Sequence, residues 1–142
     1  MSCASWCAAG VLFWASAAFA APAEPAFVGT EACAGCHAEE TAAWRGSHHD
    51  RAMQEATAET VLGDFTGATF TKDGVTSRFH RRDDGFFVTT DGPDGVLRDY
   101  RIDYTFGAYA LQQYLIAFPG GRWQALGIAW DARPEAEGGQ RW

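Results

Sequence analysis

The sequence is short of basic charge: 11 Lys and Arg stand against 18 Asp and Glu, for a formal net charge of -7. A nucleic-acid surface, which needs clustered Lys and Arg to displace counterions, is therefore excluded as the main business of this chain. No acidic run dominates either, so the negative charge reads as ordinary solubility. Long apolar runs are also missing. The longest, from Ala8 to Phe19, is too short for a comfortable membrane span. There is no Ser-His-Asp order, no paired-carboxylate spacing and no glycine-rich phosphate loop, and the carboxylates are too scattered to nominate a general acid. Cysteine is scarce, at four in 142 residues. Two of the four, Cys33 and Cys36, lie so close together that a disulfide between them would close only a tiny loop. What remains is a chain that is 47% hydrophobic and 14% aromatic, enough for one domain with a modest core.

The first twenty residues, MSCASWCAAGVLFWASAAFA, carry no charge and end in Ala18-Phe19-Ala20. An apolar stretch closing on A-x-A is the profile of a signal peptide, although the usual basic n-region is lacking. Residues 1–20 are thus expected to be a leader and the mature protein to be exported to the periplasm. Cleavage after Ala20 removes Cys3 and Cys7. Neither sits in a Leu-x-x-Cys lipobox, so neither reads as a lipid anchor.

The remaining pair falls in the stretch CAGCHAEETAAWRGSHHDRAM, residues 33–53. In C-x-x-C-H the two sulfurs lie one helical turn apart, suited to thioether bonds with two vinyl groups of a haem, and the next residue places an imidazole under the iron. Cys33, Cys36 and His37 therefore predict covalent haem c, with His37 as an iron ligand. A zinc site is the weaker reading, because His48-His49 lacks the gap of a zinc finger. So is a thioredoxin-like pair, because no strand or βαβ pattern surrounds Cys33. Thr30 and Glu31 are placed to start the helix that displays the motif. AEETAAW continues it, Gly46 can end it, and Ser47 can cap a second short helix over HHDRAM. On that helix His49 and Met53 would share a face, with His48 about 100° away. All three compete for the sixth iron position.

The segment FVGTEACAGCH, residues 27–37, followed by WRGSHH, residues 44–49, resembles the multihaem c-type cytochromes of the cytochrome c-552/c-554-type haem domain. The resemblance covers about thirty residues. It implies that the last histidine of W-x-x-S-x-H, here His49 rather than His48, binds the iron of its own or a neighbouring haem. The chain also resembles the N-terminal part of larger exported proteins that join such motifs to tetratricopeptide repeats. That likeness implies redox partner proteins and further haem or repeat domains in a longer protein. No second C-x-x-C-H follows here, and the chain stops at EGGQRW, so residues 134–142 are expected to be the tail of a truncated chain.

Beyond Asp64 the pattern alternates. VTSRFHRR sets Val75, Ser77 and Phe79 on one face and Thr76, Arg78 and His80 on the other; a DDG turn returns the chain as FFVTT. Another strand runs through Val96–Tyr104, and a second hairpin through Gln112–Trp130, turning at PGG. The expected fold class is α+β: a haem c-binding helical segment over 21–60, then a small antiparallel β region over 61–133. Phe79, Phe87, Tyr100, Ile102, Tyr104, Leu115, Ile116, Leu126 and Ile128 are its expected core. His80 reads as a solvated strand residue, and Arg78, Arg81 and Arg82 as a charged face able to meet an acidic partner or a haem propionate.

The function expected first is electron transfer by one covalent haem ligated by His37 and His49, a carrier rather than an enzyme. The alternative is an open distal site supporting peroxidase or nitrogen-oxide chemistry or small-ligand sensing. A third class is an interaction module whose sheet docks partner domains.

Overall fold

The structure, a computed structural model, describes residues 26–142. The leader expected over 1–20 lies outside the described residues. Two short helices come first, α1 (Glu31–Ala34) and α2 (Ala38–Trp44). Nine strands follow: β1 (Met53–Glu55), β2 (Thr66–Lys72), β3 (Val75–Arg82), β4 (Gly85–Asp91), β5 (Leu97–Ile102), β6 (Tyr104–Phe106), β7 (Leu111–Phe118), β8 (Arg122–Ala125) and β9 (Trp130–Asp131). All pairs are antiparallel. One sheet has the order β2-β3-β4-β5; the other runs β1-β6-β7-β8, with β9 on β7.

Tight turns set the register. Asp73 and Gly74, both at positive φ, join β2 to β3, the backbone a two-residue hairpin requires. Gly120 and Gly121 do the same between β7 and β8. The chain changes sheets at Asp103, whose N–H donates to Leu115 O (3.1 Å) while its carbonyl accepts from Ala56 N–H (2.9 Å). β5 and β6 are thereby almost one strand, shared by two sheets.

The core lies between them. Phe79 faces Val88 across the ladder, and Phe86 faces Ile102; all four are buried. Phe65 sits edge-on to Phe79, Phe86, Tyr114 and Trp142, with centroids 5.1–5.7 Å away, the geometry aromatic quadrupoles favour. Trp142 stacks on Phe79 at 3.5 Å and donates its indole N–H to Asp64 O (3.1 Å). The segment read as a tail is therefore packed, and it is also tied to β9 by Gln140 N–H to Asp131 O (2.7 Å) and Asp131 N–H to Arg141 O (2.8 Å).

The expected α+β class is wrong. The protein is mainly β, two antiparallel sheets preceded by one short helical piece. Helix stops at Trp44, and the end of the supposed helical segment supplies β1, paired with β6 from Met53 opposite Phe106 to Glu55 opposite Tyr104. The reason is length: helices of 4 and 7 residues are far below the ~12–15 residues at which an isolated helix becomes even marginal.

The β3–β4 hairpin forms as expected, with Ser77 and Phe79 inward. In β4 the inward residues are Phe86 and Val88, so Phe87 is displaced to the other face. Two adjacent phenylalanines do not reveal which one points inward; the pairing of Phe79 with Val88 decides it. In β7, Gln112, Tyr114 and Ile116 point inward and Leu115 does not. Tyr104 is likewise only partly buried. Buried Gln112 masks the apolar alternation, since its amide accepts from Leu62 N–H and Tyr114 O–H (both 2.8 Å) and donates to Thr60 O (2.9 Å). The second hairpin ends early: β8 stops at Ala125, and Trp130 pairs with Gln112 as part of β9.

Candidate functional site

Thr30 starts the motif-bearing helix, but through its backbone. Its carbonyl accepts from Cys33 N–H (3.0 Å) and Ala34 N–H (3.1 Å), and its side chain makes no capping bond. The coil continues past α1, because Cys33 O accepts from both Cys36 N–H (3.2 Å) and His37 N–H (3.0 Å). Cys33 and Cys36 are thus held about one turn apart, both as free, exposed thiols. His37 occupies the junction with α2, its carbonyl accepting from Thr41 N–H (2.9 Å). Its exposed ring has Nδ1 4.0 Å from a Glu40 carboxylate oxygen, too long for a hydrogen bond. Glu31 in the first turn of α1 bonds Arg45 at the end of α2 and so links the two helices.

Gly46, at φ 71, ends the helical run. The second helix expected from Ser47 does not form. Asp50 accepts from Gly46 N–H (2.7 Å), Ser47 Oγ accepts from Asp50 N–H (3.3 Å), and Ala52 N–H bonds His49 O (3.2 Å), giving consecutive turns over 47–52. Met53 then enters β1, so His49 and Met53 do not share a helical face. Both His48 and His49 are exposed on this turn. The His48 ring lies against Tyr109, centroids 5.7 Å apart, and Ala52 O accepts from Gly107 N–H (2.7 Å). The turn carrying the candidate sixth ligands is therefore fastened to the β6–β7 loop. Tyr109 carries no signal in the sequence that would have pointed to it.

A bound haem is compatible with this arrangement. The two helices bury only Thr41 and no apolar residue, while Phe27, Val28 and Trp44 around them are exposed. The sulfurs and the imidazole needed for attachment are accessible and uncommitted to a disulfide. Among the described residues no three His, Cys, Asp or Glu side chains gather to hold a metal ion. A macrocycle supplies four nitrogens of its own and asks the chain only for axial ligands.

His80 is less solvated than its alternation suggests. It stacks on Phe87 (5.9 Å), its Nε2 is 3.7 Å from Asp99, and its Nδ1 is buried with no partner. The Thr89 hydroxyl donates to Asp99 (2.7 Å) and, with His80 and Arg82 nearby, holds that carboxyl below its ordinary range. Arg82 also covers the Phe87 ring at 4.0 Å. Elsewhere, a cavity of about 690 Å³ opens between the sheets beside Ser77, Thr90, Tyr100, Phe118 and Trp123. It contains none of the residues singled out as ligands.

Comparison with known proteins places a match over this site. Residues 32–73 match the family model described as cytochrome c554 and c-prime, a stretch that takes in Cys33, Cys36, His37, His48 and His49 and runs on through β2. This part of the chain is similar to a c-type cytochrome domain. No curated protein and no solved structure matches the chain.

Proposed function

We propose that the chain is an exported, periplasmic c-type cytochrome domain that holds one haem covalently through Cys33 and Cys36 and passes single electrons between redox partner proteins. His37 is the proximal ligand and His49 the distal one. With both bound the iron is saturated and changes charge with little change of geometry, as a carrier requires. The observation that carries this reading is the exposed C-x-x-C-H turn lying inside the segment matched by the cytochrome family model. When bound, the haem supplies the one-electron chemistry; the chain supplies attachment, two imidazoles and apolar cover. In a longer protein this unit would be the first of several haem or tetratricopeptide-repeat domains.

Denaturing electrophoresis followed by haem staining tests the attachment, because thioether links survive where free haem washes out. Protein made with cytochrome c maturation machinery should stain, and Cys33→Ser with Cys36→Ser should not. A colourless wild-type band would sink the proposal. The absorption spectrum tests the distal ligand: His49→Ala should turn a low-spin spectrum high-spin, while His48→Ala and Met53→Ala leave it low-spin. A wild-type spectrum that is already high-spin and shifts with carbon monoxide would favour the open site of an enzyme or sensor instead.

A further inference from the structure

The second sheet carries large apolar side chains on both faces. Its inner face carries Thr105, Tyr114 and Ile116 into the core. By alternation its outer face carries Met53, Tyr104, Phe106, Leu111 and Leu115, interspersed with Glu55, Gln113 and Asp131. A sheet with one face on the core ordinarily turns mostly polar residues to water, and a cluster of exposed large apolar side chains there points to an interaction surface. At the β8 end of this face Tyr104 and Trp123 pack edge to face, 4.9 Å apart. At the β1 end Met53, Phe106 and Leu111 stay about half exposed, at 54%, 48% and 55%, and Tyr109 in the adjoining loop at 53%.

We propose that this end of the sheet, with Met53, Phe106 and Tyr109 as its contacts, is the wall against which the haem lies. The inference rests on the haem-binding reading above and adds to it a role for the β region. The occupant follows from the tether. The turn bearing His48 and His49 is bonded to the β6–β7 loop through Ala52 and Gly107, its His48 ring already touches Tyr109, and it runs directly into Met53 opposite Phe106. A macrocycle ligated from that turn would be several side chains wide and would extend toward Met53, Phe106 and Tyr109. Tyr109 suits such an edge, with an apolar ring and a hydroxyl that can stay wet.

The chain contains only two methionines, Met1 and Met53, which makes Met53 a nearly private probe. The experiment is NMR of the haem-loaded full chain with labelled methionine methyls and tyrosine rings, in ferric and ferrous states, against the Cys33→Ser/Cys36→Ser chain. Tyr109→Phe assigns the Tyr109 signal. Ferric iron beside the wall should broaden or strongly shift the Met53 methyl and the Tyr109 ring, while buried Tyr114 on the other face moves much less. Haem-stained protein whose Met53 and Tyr109 signals match in both oxidation states would overturn the wall and leave the haem reading standing; dimerisation found alongside that result would assign the face to a second copy. A ferrous Met53 methyl far upfield would also overturn it, by making Met53 a ligand. Absence of haem stain would overturn both readings together.

Discussion

The helical segment and the β region of this protein hold themselves together in different ways. The β region buries ten apolar side chains in one cluster, from Phe65 to Trp130, each contributing about 1.5–3 kcal/mol relative to exposure. The helical segment buries one threonine. Its helices are joined by an exposed Glu31–Arg45 ion pair, and such pairs contribute about 0–1 kcal/mol. Order in the β region is intrinsic to its packing. The helical segment has no such core, and on the proposed function the thioether and iron–imidazole bonds would take its place.

The largest effect that sharpens this contrast is expected from Cys33→Ser with Cys36→Ser. Hydrogen exchange should show protection lost across α1 and α2 while β3, β4 and β7 keep theirs; equal loss in both regions would break the comparison. Next comes Phe79→Ala, which removes the ring that Phe65 and Trp142 pack on. Urea unfolding should show a loss of about 3–5 kcal/mol, with haem stain retained. Gln112→Ala strands Leu62 N–H and Thr60 O and should cost about 1–3 kcal/mol by the same assay. Ala42→Gly in exposed α2 should cost that helix about 1 kcal/mol, visible in its exchange rates and absent from the melting of the sheets.

The smallest expected effect is a pH dependence in the β region. Hydrogen bonds from Arg133 hold Asp131 at about 2, below its ordinary 3.8. Above about pH 4 the carboxylate is ionised in the folded and unfolded chains alike, and its stabilisation is fully present. As pH falls from there toward 2 the unfolded chain takes up the proton first and stability drops. Acid titration of the melting temperature should show a shallower fall in Asp131→Asn.

Strands were easiest to foresee where polar and apolar residues alternate cleanly. VTSRFHRR displays its inward Ser77 and Phe79 without help from the rest of the chain. FFVTT does not, because Phe86 and Phe87 are equally apolar, and QQYLIAF does not, because a glutamine occupies an inward position. The helix expected over HHDRAM failed for another reason: Ser47 and Asp50 satisfy the backbone locally in turns, and Met53 is drawn into a ladder opposite Phe106, with Gly107 N–H bonding Ala52 O beside it, a pairing that no local propensity registers.

By itself the sequence determined the chemistry on offer: two cysteines and a histidine at fixed spacing, a histidine pair some ten residues on, and the tight turns that close the hairpins. Spacing along a chain fixes such things because they depend on neighbours within one or two turns. Only the tertiary structure decided that Trp142 closes the core on Phe79, that β5 and β6 join two sheets at Asp103, and that Tyr109 stands beside His48. The contacts behind each of these, Trp142 with Phe79, Asp103 with Ala56 and Leu115, and Tyr109 with His48, join residues separated in sequence, and their partners are selected by the burial of a shared surface that exists only once both sheets have formed.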